Sequence, residues 1–144
     1  MQKAGISERS IHRGRVSWEQ SQEDLKLARS FIKSAPQKSC LLSVQASINA
    51  ISSILEIQGH FQLPAFSCVE LLDQSIPHAQ ELEGIRPQCY LLDSSLERDV
   101  MGRDNQQHIG FTVAYALSCH RAGGIILSVI RNYWKENPSR FIRS

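Results

Sequence analysis

The clearest pattern in the chain is a helical repeat of apolar positions in its first half. Five of them recur at alternating intervals of three and four residues: Leu41, Val44, Ile48, Ile51 and Leu55. This spacing places them on one face of an α-helix. That face is expected to be buried against the rest of the protein. Gly59 follows the last turn, where a glycine typically ends a helix. We therefore expect a long buried helix that begins near Ser39 and ends near Gly59.

A second apolar stripe precedes this helix and predicts another one. Its members also follow helical spacing: Trp18, Leu25, Ala28, Phe31 and Ile32. Ser17 and Gln20 have the spacing of a capping box, so this helix is expected to begin at Ser17 and to end before Pro36. Residues 1–16 mix glycine, serine and charged side chains without a sustained period, and we expect a flexible basic arm there.

The middle of the chain carries two shorter helical patterns. One is predicted over residues 66–76, where Pro77 would end it, and the other over residues 87–101, where Pro87 suits the first turn. Residues 78–86 are expected to form a connection between them. Gly102 is expected to end the fourth helix, so that residues 103–110 would follow it as a polar segment.

A last long helix is predicted from about Phe111 or Val113 to Lys135, with Asn137 and Pro138 as its stop. Gly123 and Gly124 fall inside it, although a glycine in a helix costs about 1 kcal/mol relative to alanine. Two glycines at such a position indicate either a bend or the close approach of another helix.

These elements predict an all-α protein. No stretch alternates apolar and polar residues as a half-buried strand would, and no internal repeat is present. Helices of this length with short connections are typical of an up-and-down four-helix bundle, here with one additional short helix. We expect a single bundle domain over residues 17–136, followed by a basic tail over residues 137–144.

The composition of the chain argues against a membrane-spanning protein and against a secreted one. The chain has 144 residues, 42% of them hydrophobic, which suffices for one ordinary core. The longest aliphatic run, residues 125–127, is far shorter than the roughly 20 apolar residues that a membrane-spanning helix needs. The first residues show no apolar stretch like that of a secretory signal. A cytoplasmic protein without a membrane partner is therefore expected.

The four cysteines are widely separated in the sequence: Cys40, Cys68, Cys89 and Cys119. They do not form the Cys-x-x-Cys pairs that structural zinc sites and redox motifs use. We expect small buried side chains in a reducing compartment. No residue pattern predicts a metal or another cofactor.

Charge is unevenly distributed, although the net charge is only +2. Residues 1–16 carry four basic residues against one acidic residue, and residues 121–144 carry five against one. Basic ends of this kind would either contact phosphates or act as solvated tails, and both interpretations stay open.

Five segments of the chain follow one another in an order that resembles a known family. They read SWEQSQEDLKLARSFIKSA, SCLLSVQASINAISSILEIQG, VELLDQS, YLLDSSLERDVMGRD and FTVAYALSCHRAGGIILSVI. The order resembles that of the HEPN family, small helical-bundle proteins of prokaryotes that are associated with nucleotidyltransferases. The resemblance covers most of residues 17–135. It implies a HEPN-like bundle, a homodimer and a separately encoded nucleotidyltransferase as partner.

The resemblance also points to Arg103 and His108. Many family members that cleave RNA carry an arginine followed after four to six residues by a histidine, often with a polar residue next to the arginine, here Asp104. An arginine would bind the scissile phosphate, and a histidine with a pKa near 6.5 would move the proton of the 2′-hydroxyl. Such catalysis needs no metal. In the family ribonucleases the motif lies at the start of a helix, where the two side chains share a face, whereas Gly102 and Gly110 favour a loop here.

Other interpretations of this segment stay open. Arg103 would alternatively contact a ligand or a phosphate without catalysis, or belong to a structural turn. Inside the last helix, His120 and Arg121 would either bind an anion in a groove or serve as ordinary helix residues. The family's Lys-Ala pair after the Gln-Ala motif is replaced near Ser52 and Ser53, and the histidine that often opens the third helix has no equivalent.

Three functions from different classes follow. The first is a module that binds a nucleotide or a substrate for a separately encoded nucleotidyltransferase, with Arg103, Arg121 and His120 as ligand contacts. The second is a metal-independent ribonuclease of toxin or defence type, with toxin–antitoxin pairing, that uses Arg103, Asp104 and His108 on nucleotide or RNA substrates. The third is a structural helical dimer without a ligand. The departures from the family motif favour the first.

Overall fold

The computed structural model describes residues 7–59, 67–105 and 110–137, and for residues 100–105 it describes the backbone alone. Five α-helices occupy most of this range: α1 (Glu8–Phe31), α2 (Pro36–Ile57), α3 (Cys68–Ser75), α4 (Arg86–Asn105) and α5 (Val113–Glu136). Two short 3₁₀ turns, Ile76–His78 and Gln80–Ile85, connect α3 to α4. These ranges contain no β-strand, so the prediction of an all-α protein is confirmed.

Helix α1 begins earlier than the sequence suggested. Ser7 caps it, since its hydroxyl oxygen accepts a hydrogen bond from the backbone N–H of Ser10 at 3.1 Å. Ile11 and Gly14 are buried, and with Trp18 they extend the apolar stripe towards the N-terminus. The predicted start at Ser17, and with it a flexible arm up to residue 16, was therefore wrong for the residues from Glu8 onwards. Residues 1–6 lie outside the described ranges.

The error at Ser17 has a physical cause. Gly14 interrupts an apolar period in the sequence, but in the structure it provides room for close packing. A Cβ atom on Gly14 would lie 2.9 Å from the carbonyl oxygen of Ser53 and would clash with the side chain of Ile57. Ser17, which resembled a cap, instead donates its hydroxyl to the carboxylate of Glu56 on α2.

Helix α2 is the centre of the molecule, and it contacts α1, α3, α4 and α5. Pro36 occupies its first turn, so the helix begins before the predicted Ser39. Ser39 is buried and donates its hydroxyl to the carbonyl of Ala28 on α1 at 2.6 Å. Gly59 adopts a φ of 82° just after the helix, which confirms its predicted role as the terminating glycine.

The two glycines of α5 have different surroundings. A Cβ on Gly123 would lie 2.9 Å from the Cδ1 atom of Leu25 and 3.6 Å from the carbonyl oxygen of Ser43, so α5 approaches both α1 and α2 there. The predicted close approach is confirmed at this residue. A Cβ on Gly124 would meet nothing within 4 Å, because this glycine faces outward.

A side chain of α4 caps the N-terminal end of helix α3. The carboxylate of Asp93 accepts hydrogen bonds from the backbone N–H groups of Cys68 and Val69, at 2.7 and 3.1 Å. The connection predicted over residues 78–86 consists of the two 3₁₀ turns, which bury Leu82 and Ile85. All four cysteines are free and buried, as predicted.

Helices α2 and α5 are both long and apolar enough to span a membrane when judged by length and composition. In the bundle, 67% of the most apolar stretch of α2 is buried, against 39% of that of α5. Burial of this kind in α2 is typical of a core helix, and the structure is compatible with a soluble protein. Helix α5 leaves more apolar surface uncovered.

Gly14 and Gly124 give a matched pair of substitutions. Gly14→Ala is expected to lower the free energy of unfolding by about 1–3 kcal/mol, because the methyl group would overlap the backbone of α2. Gly124→Ala is expected to raise it by about 0.5–1 kcal/mol, because alanine favours the helix and meets no neighbour. Urea denaturation followed by circular dichroism measures both changes, and shifts of the same sign in both variants would contradict the helix contact at Gly14.

Candidate functional site

The described part of α4 includes the start of the predicted Arg103–His108 motif. The helix continues past Gly102 to Asn105, so the prediction that Gly102 ends it was wrong. Arg103 and Asp104 therefore lie in the last turn of a helix, although nothing is described of their side chains. His108 lies outside the described residues. Gly102 is tolerated because an isolated glycine costs a helix only about 1 kcal/mol, which tertiary contacts readily offset.

Arg98 fixes the path of the chain on both sides of this motif. Its guanidinium lies 3.9 Å from the centre of the Tyr115 ring on α5. Its Nη1 also donates to the carbonyl of Gly110 at 2.6 Å. One side chain of α4 thus contacts both Gly110, just before α5, and the first turn of α5.

A buried polar network next to Arg98 joins α2, α4 and α5. The hydroxyl of Tyr115 hydrogen-bonds to Ser94 and, at 3.1 Å, to Ser95. Ser95 in turn lies 3.1 Å from the Sγ atom of Cys119. The hydrogen bond between the thiols of Cys119 and Cys40 raises the pKa of Cys40, and burial raises it further. The same hydrogen bond with Cys40 lowers the pKa of Cys119, and hydrogen bonds with Ser95 and Tyr115 lower it further, so Cys119 is the more acidic thiol of the pair.

An open groove of about 680 Å³ lies at the start of α2, and we call it the α2 groove. Its described lining comprises eight residues of α2, of the turn before it and of the start of the α5 segment: Ala35, Pro36, Gln37, Lys38, Leu41, Leu42, Gln45 and Phe111. The walls are mainly apolar, and Lys38 is the charged residue of this set. Its ammonium group lies 4.2 Å from the centre of the Phe31 ring, which holds the cation at the rim.

The α2 groove lies beside the C-terminal part of α4. The Nε2 atom of Gln37 donates to the carboxylate of Asp99 at 2.7 Å, and this contact joins the start of α2 to α4. Arg103 follows Asp99 by about one helical turn. The structure therefore brings the helical end that carries Arg103 and Asp104 next to a groove with a cationic rim.

His120 does not serve the site that its sequence position suggested. It is half-buried between α5 and α1, and its imidazole donates a hydrogen bond to the backbone carbonyl of Leu25. Burial lowers its pKa, and the nearby Arg29 lowers it further. A histidine that is neutral and bonded to a neighbouring helix stabilises the packing and is a poor ligand for an anion.

Arg121 lies on a different side of α5, where it is exposed beside the start of α4. The next residue in sequence is rotated by about 100° around a helix, which separates Arg121 from His120. The structure thus does not bring His120, Arg121 and Arg103 into one binding site. Among the described residues, no group of three or more histidine, cysteine or acidic side chains is arranged to hold a metal ion.

Comparison with protein-family models, with curated proteins and with solved structures finds no match to this chain. The resemblance to the HEPN family therefore stays an expectation, and the case for a function depends on the geometry of the site.

Sequence reasoning missed the residues that form the α2 groove. Lys38 and Phe111 are far apart in the chain, and neither belongs to a spaced motif. Pro36 offered a partial signal, since a proline at the first turn of a helix places Lys38 at the exposed N-terminal end of α2. Nothing in the sequence indicated that Arg98 would bond to Gly110.

The altered titration of His120 makes the stability of the fold depend on pH. The unfolded imidazole has a pKa of about 6.5, and the folded one has a lower pKa, so the unfolded state binds the proton more readily. The free energy of unfolding should therefore fall as the pH decreases through about 6.5 towards the folded pKa. Urea denaturation at a series of pH values should show a weaker fall for His120→Asn than for the wild type.

The exposed His12 on α1 provides the control for this measurement. His12→Asn should keep the pH dependence of the wild type. An unchanged pH dependence in His120→Asn would show that burial and Arg29 do not lower the pKa of His120 in the folded state.

Proposed function

We propose that the chain is a HEPN-like module that binds a nucleotide, or a substrate carrying one, for a separately encoded nucleotidyltransferase. In this proposal α1, α2, α4 and α5 form an up-and-down four-helix bundle, and α3 is the additional short helix. The α2 groove is the binding site. The observation that carries the proposal is an apolar groove with a cationic rim at the junction of α2, α4 and the start of α5.

The walls of the groove suit a nucleobase. Leu41 and Leu42 are half-buried and offer apolar surface, and Phe111 contributes the exposed edge of a largely buried ring. Gln37 and Gln45 supply amide groups that would hydrogen-bond to a base edge. A volume of about 680 Å³ falls in the range typical of small-molecule sites, which is about 300–1,000 Å³.

The charge at the rim suits a phosphate. Lys38 is a cation in the first turns of α2, where backbone N–H groups also favour an anion. The described lining contains no acidic residue, so a phosphate there would meet no like charge from it. Arg103, in the last turn of α4, would be a further phosphate contact in this proposal.

Lys38→Glu tests the proposal. Isothermal titration calorimetry with ATP and with UTP should show binding to the wild type, weakened about tenfold or more in the variant, because a charge-assisted contact is replaced by repulsion. Lys33→Glu is the matched control, since Lys33 is exposed in the preceding turn and does not line the groove. Equal affinities in all three proteins, or no binding to the wild type, would contradict the α2 groove as a nucleotide site.

A metal-independent ribonuclease is the second candidate, and one observation favours it. Arg103 and Asp104 are helical, at the end of α4, whereas the motif of the family ribonucleases lies at the start of a helix. Catalysis would require that Arg103 bind the scissile phosphate and that His108 transfer a proton. The homodimer that the resemblance implies belongs to this candidate, since two such pairs would share one cleft.

Incubation with total RNA and tRNA in the presence of EDTA tests this candidate. Arg103→Ala and His108→Ala should each abolish cleavage, while circular dichroism shows unchanged helicity. Cleavage that persists in both variants would come from another group or from a contaminant and would exclude the motif. If the wild type neither cleaves RNA nor binds nucleotides, the structural helical dimer becomes the favoured function.

A further inference from the structure

Helix α5 presents an apolar stripe to solvent along about half of its length. Val113, Leu117 and Ile125 are 39%, 47% and 39% exposed. They occur at multiples of four residues, so they follow one side of the helix over about 18 Å. Single apolar side chains scattered over a surface are common in soluble proteins. Several that lie together along one helix are more typical of a surface that contacts another molecule.

A smaller groove runs beside this stripe, between the start of α4 and the middle of α5. We call it the α4/α5 groove, and its volume is about 320 Å³. Pro87, Leu91 and Ile125 form its apolar walls. Stripe and groove together resemble the surface on which an amphipathic helix lies when it binds another protein.

The described lining of the α4/α5 groove contains one charged residue, Arg121. Arg121 is exposed in the same groove and makes no ion pair with any described residue. An exposed cation without an ion pair is available to pair with a carboxylate of a partner.

The charge of α5 indicates the chemistry of the partner. From Val113 to Lys135 the helix contains no acidic residue, and Arg121 is the basic residue of the α4/α5 groove. Gly124 also faces this side, and the open space above it would allow a helix backbone to approach closely. The surface is thus apolar and cationic, which is complementary to an apolar and acidic one.

We propose that the α5 stripe and the α4/α5 groove dock an amphipathic helix of a partner protein that carries acidic residues beside its apolar face. A carboxylate of that helix pairs with Arg121, and its apolar side chains cover Leu117 and Ile125. This surface is separate from the α2 groove, so the proposal does not depend on nucleotide binding.

Two other occupants fit the surface less well. A second copy of the chain, related by a two-fold axis through this stripe, would bring Arg121 close to its own counterpart, and like charges oppose such a contact. A nucleic acid would need several cations in a row, whereas Arg121 is isolated between Leu117 and Ile125.

A labelled peptide of about 18 residues is a suitable probe, with leucines at intervals of three and four and glutamates on both sides of the leucine stripe. A matched peptide carries lysine in place of each glutamate. Fluorescence anisotropy should show that the glutamate peptide binds and that the lysine peptide binds at least about tenfold more weakly. Equal binding of the two peptides, or no binding of the glutamate peptide, would overturn the proposal.

Variants locate the contact. Arg121→Glu and Leu117→Asp should each weaken binding of the glutamate peptide about tenfold or more, and both replace exposed residues. Arg9→Glu, on the exposed start of α1, is the control and should bind as the wild type does. In ¹⁵N NMR spectra the peptide should shift the amide signals of Gly124 and Ile125 and leave that of Gly14 unchanged.

Sedimentation of the free chain separates the docking proposal from self-association. A dimer that Leu117→Asp dissociates would show that a second copy covers this face, and would overturn the proposal. Binding of tRNA that Arg121→Glu abolishes would overturn it in favour of a nucleic acid. ATP binding that is lost in Lys38→Glu but kept in Arg121→Glu would show that the two surfaces act independently.

Discussion

Two long helices can lie as close as α1 and α2 do only where one of them lacks a side chain, and Gly14 provides that place. Its backbone lies against the carbonyl of Ser53, where any Cβ atom would overlap. One turn further along, the hydroxyl of Ser17 reaches Glu56, and near the other end Ser39 bonds to the carbonyl of Ala28. Because α2 is held this closely by α1, its remaining sides are free to contact α3, α4 and α5.

Periodicity predicted the helices well because it reflects burial, and burial determines where helices persist in a small domain. Periodicity gave wrong helix boundaries where the role of a residue depends on its contacts with a neighbouring helix. Gly14 was interpreted as a sign of a flexible arm and Gly102 as the end of a helix, although Gly14 allows a close contact and Gly102 lies within α4. The identity of the neighbour decides the role of a glycine, and a single sequence does not contain that information.

In the candidate site, too, residues on one helix could be identified from the sequence, whereas residues brought together from different helices could not. Arg103 and Asp104 were identified by a resemblance to a family, and their helical setting at the end of α4 became apparent only in the structure. The α2 groove brings together Lys38 and Phe111, which are separated by about half of the chain. Spacing along the sequence identifies residues that share one helix, but a groove between helices depends on the packing angle, which local patterns do not specify.

The four buried thiols have a consequence for how the motions of this protein can be followed. Cys40, Cys68, Cys89 and Cys119 lie in α2, α3, α4 and α5, so each of these helices carries its own reporter. A thiol that is inaccessible in the folded chain reacts with an alkylating reagent only when its surroundings open. The rate of labelling at each cysteine therefore gives the local opening of the helix that holds it. The chain thus contains, without any substitution, one probe of local unfolding for every helix except α1.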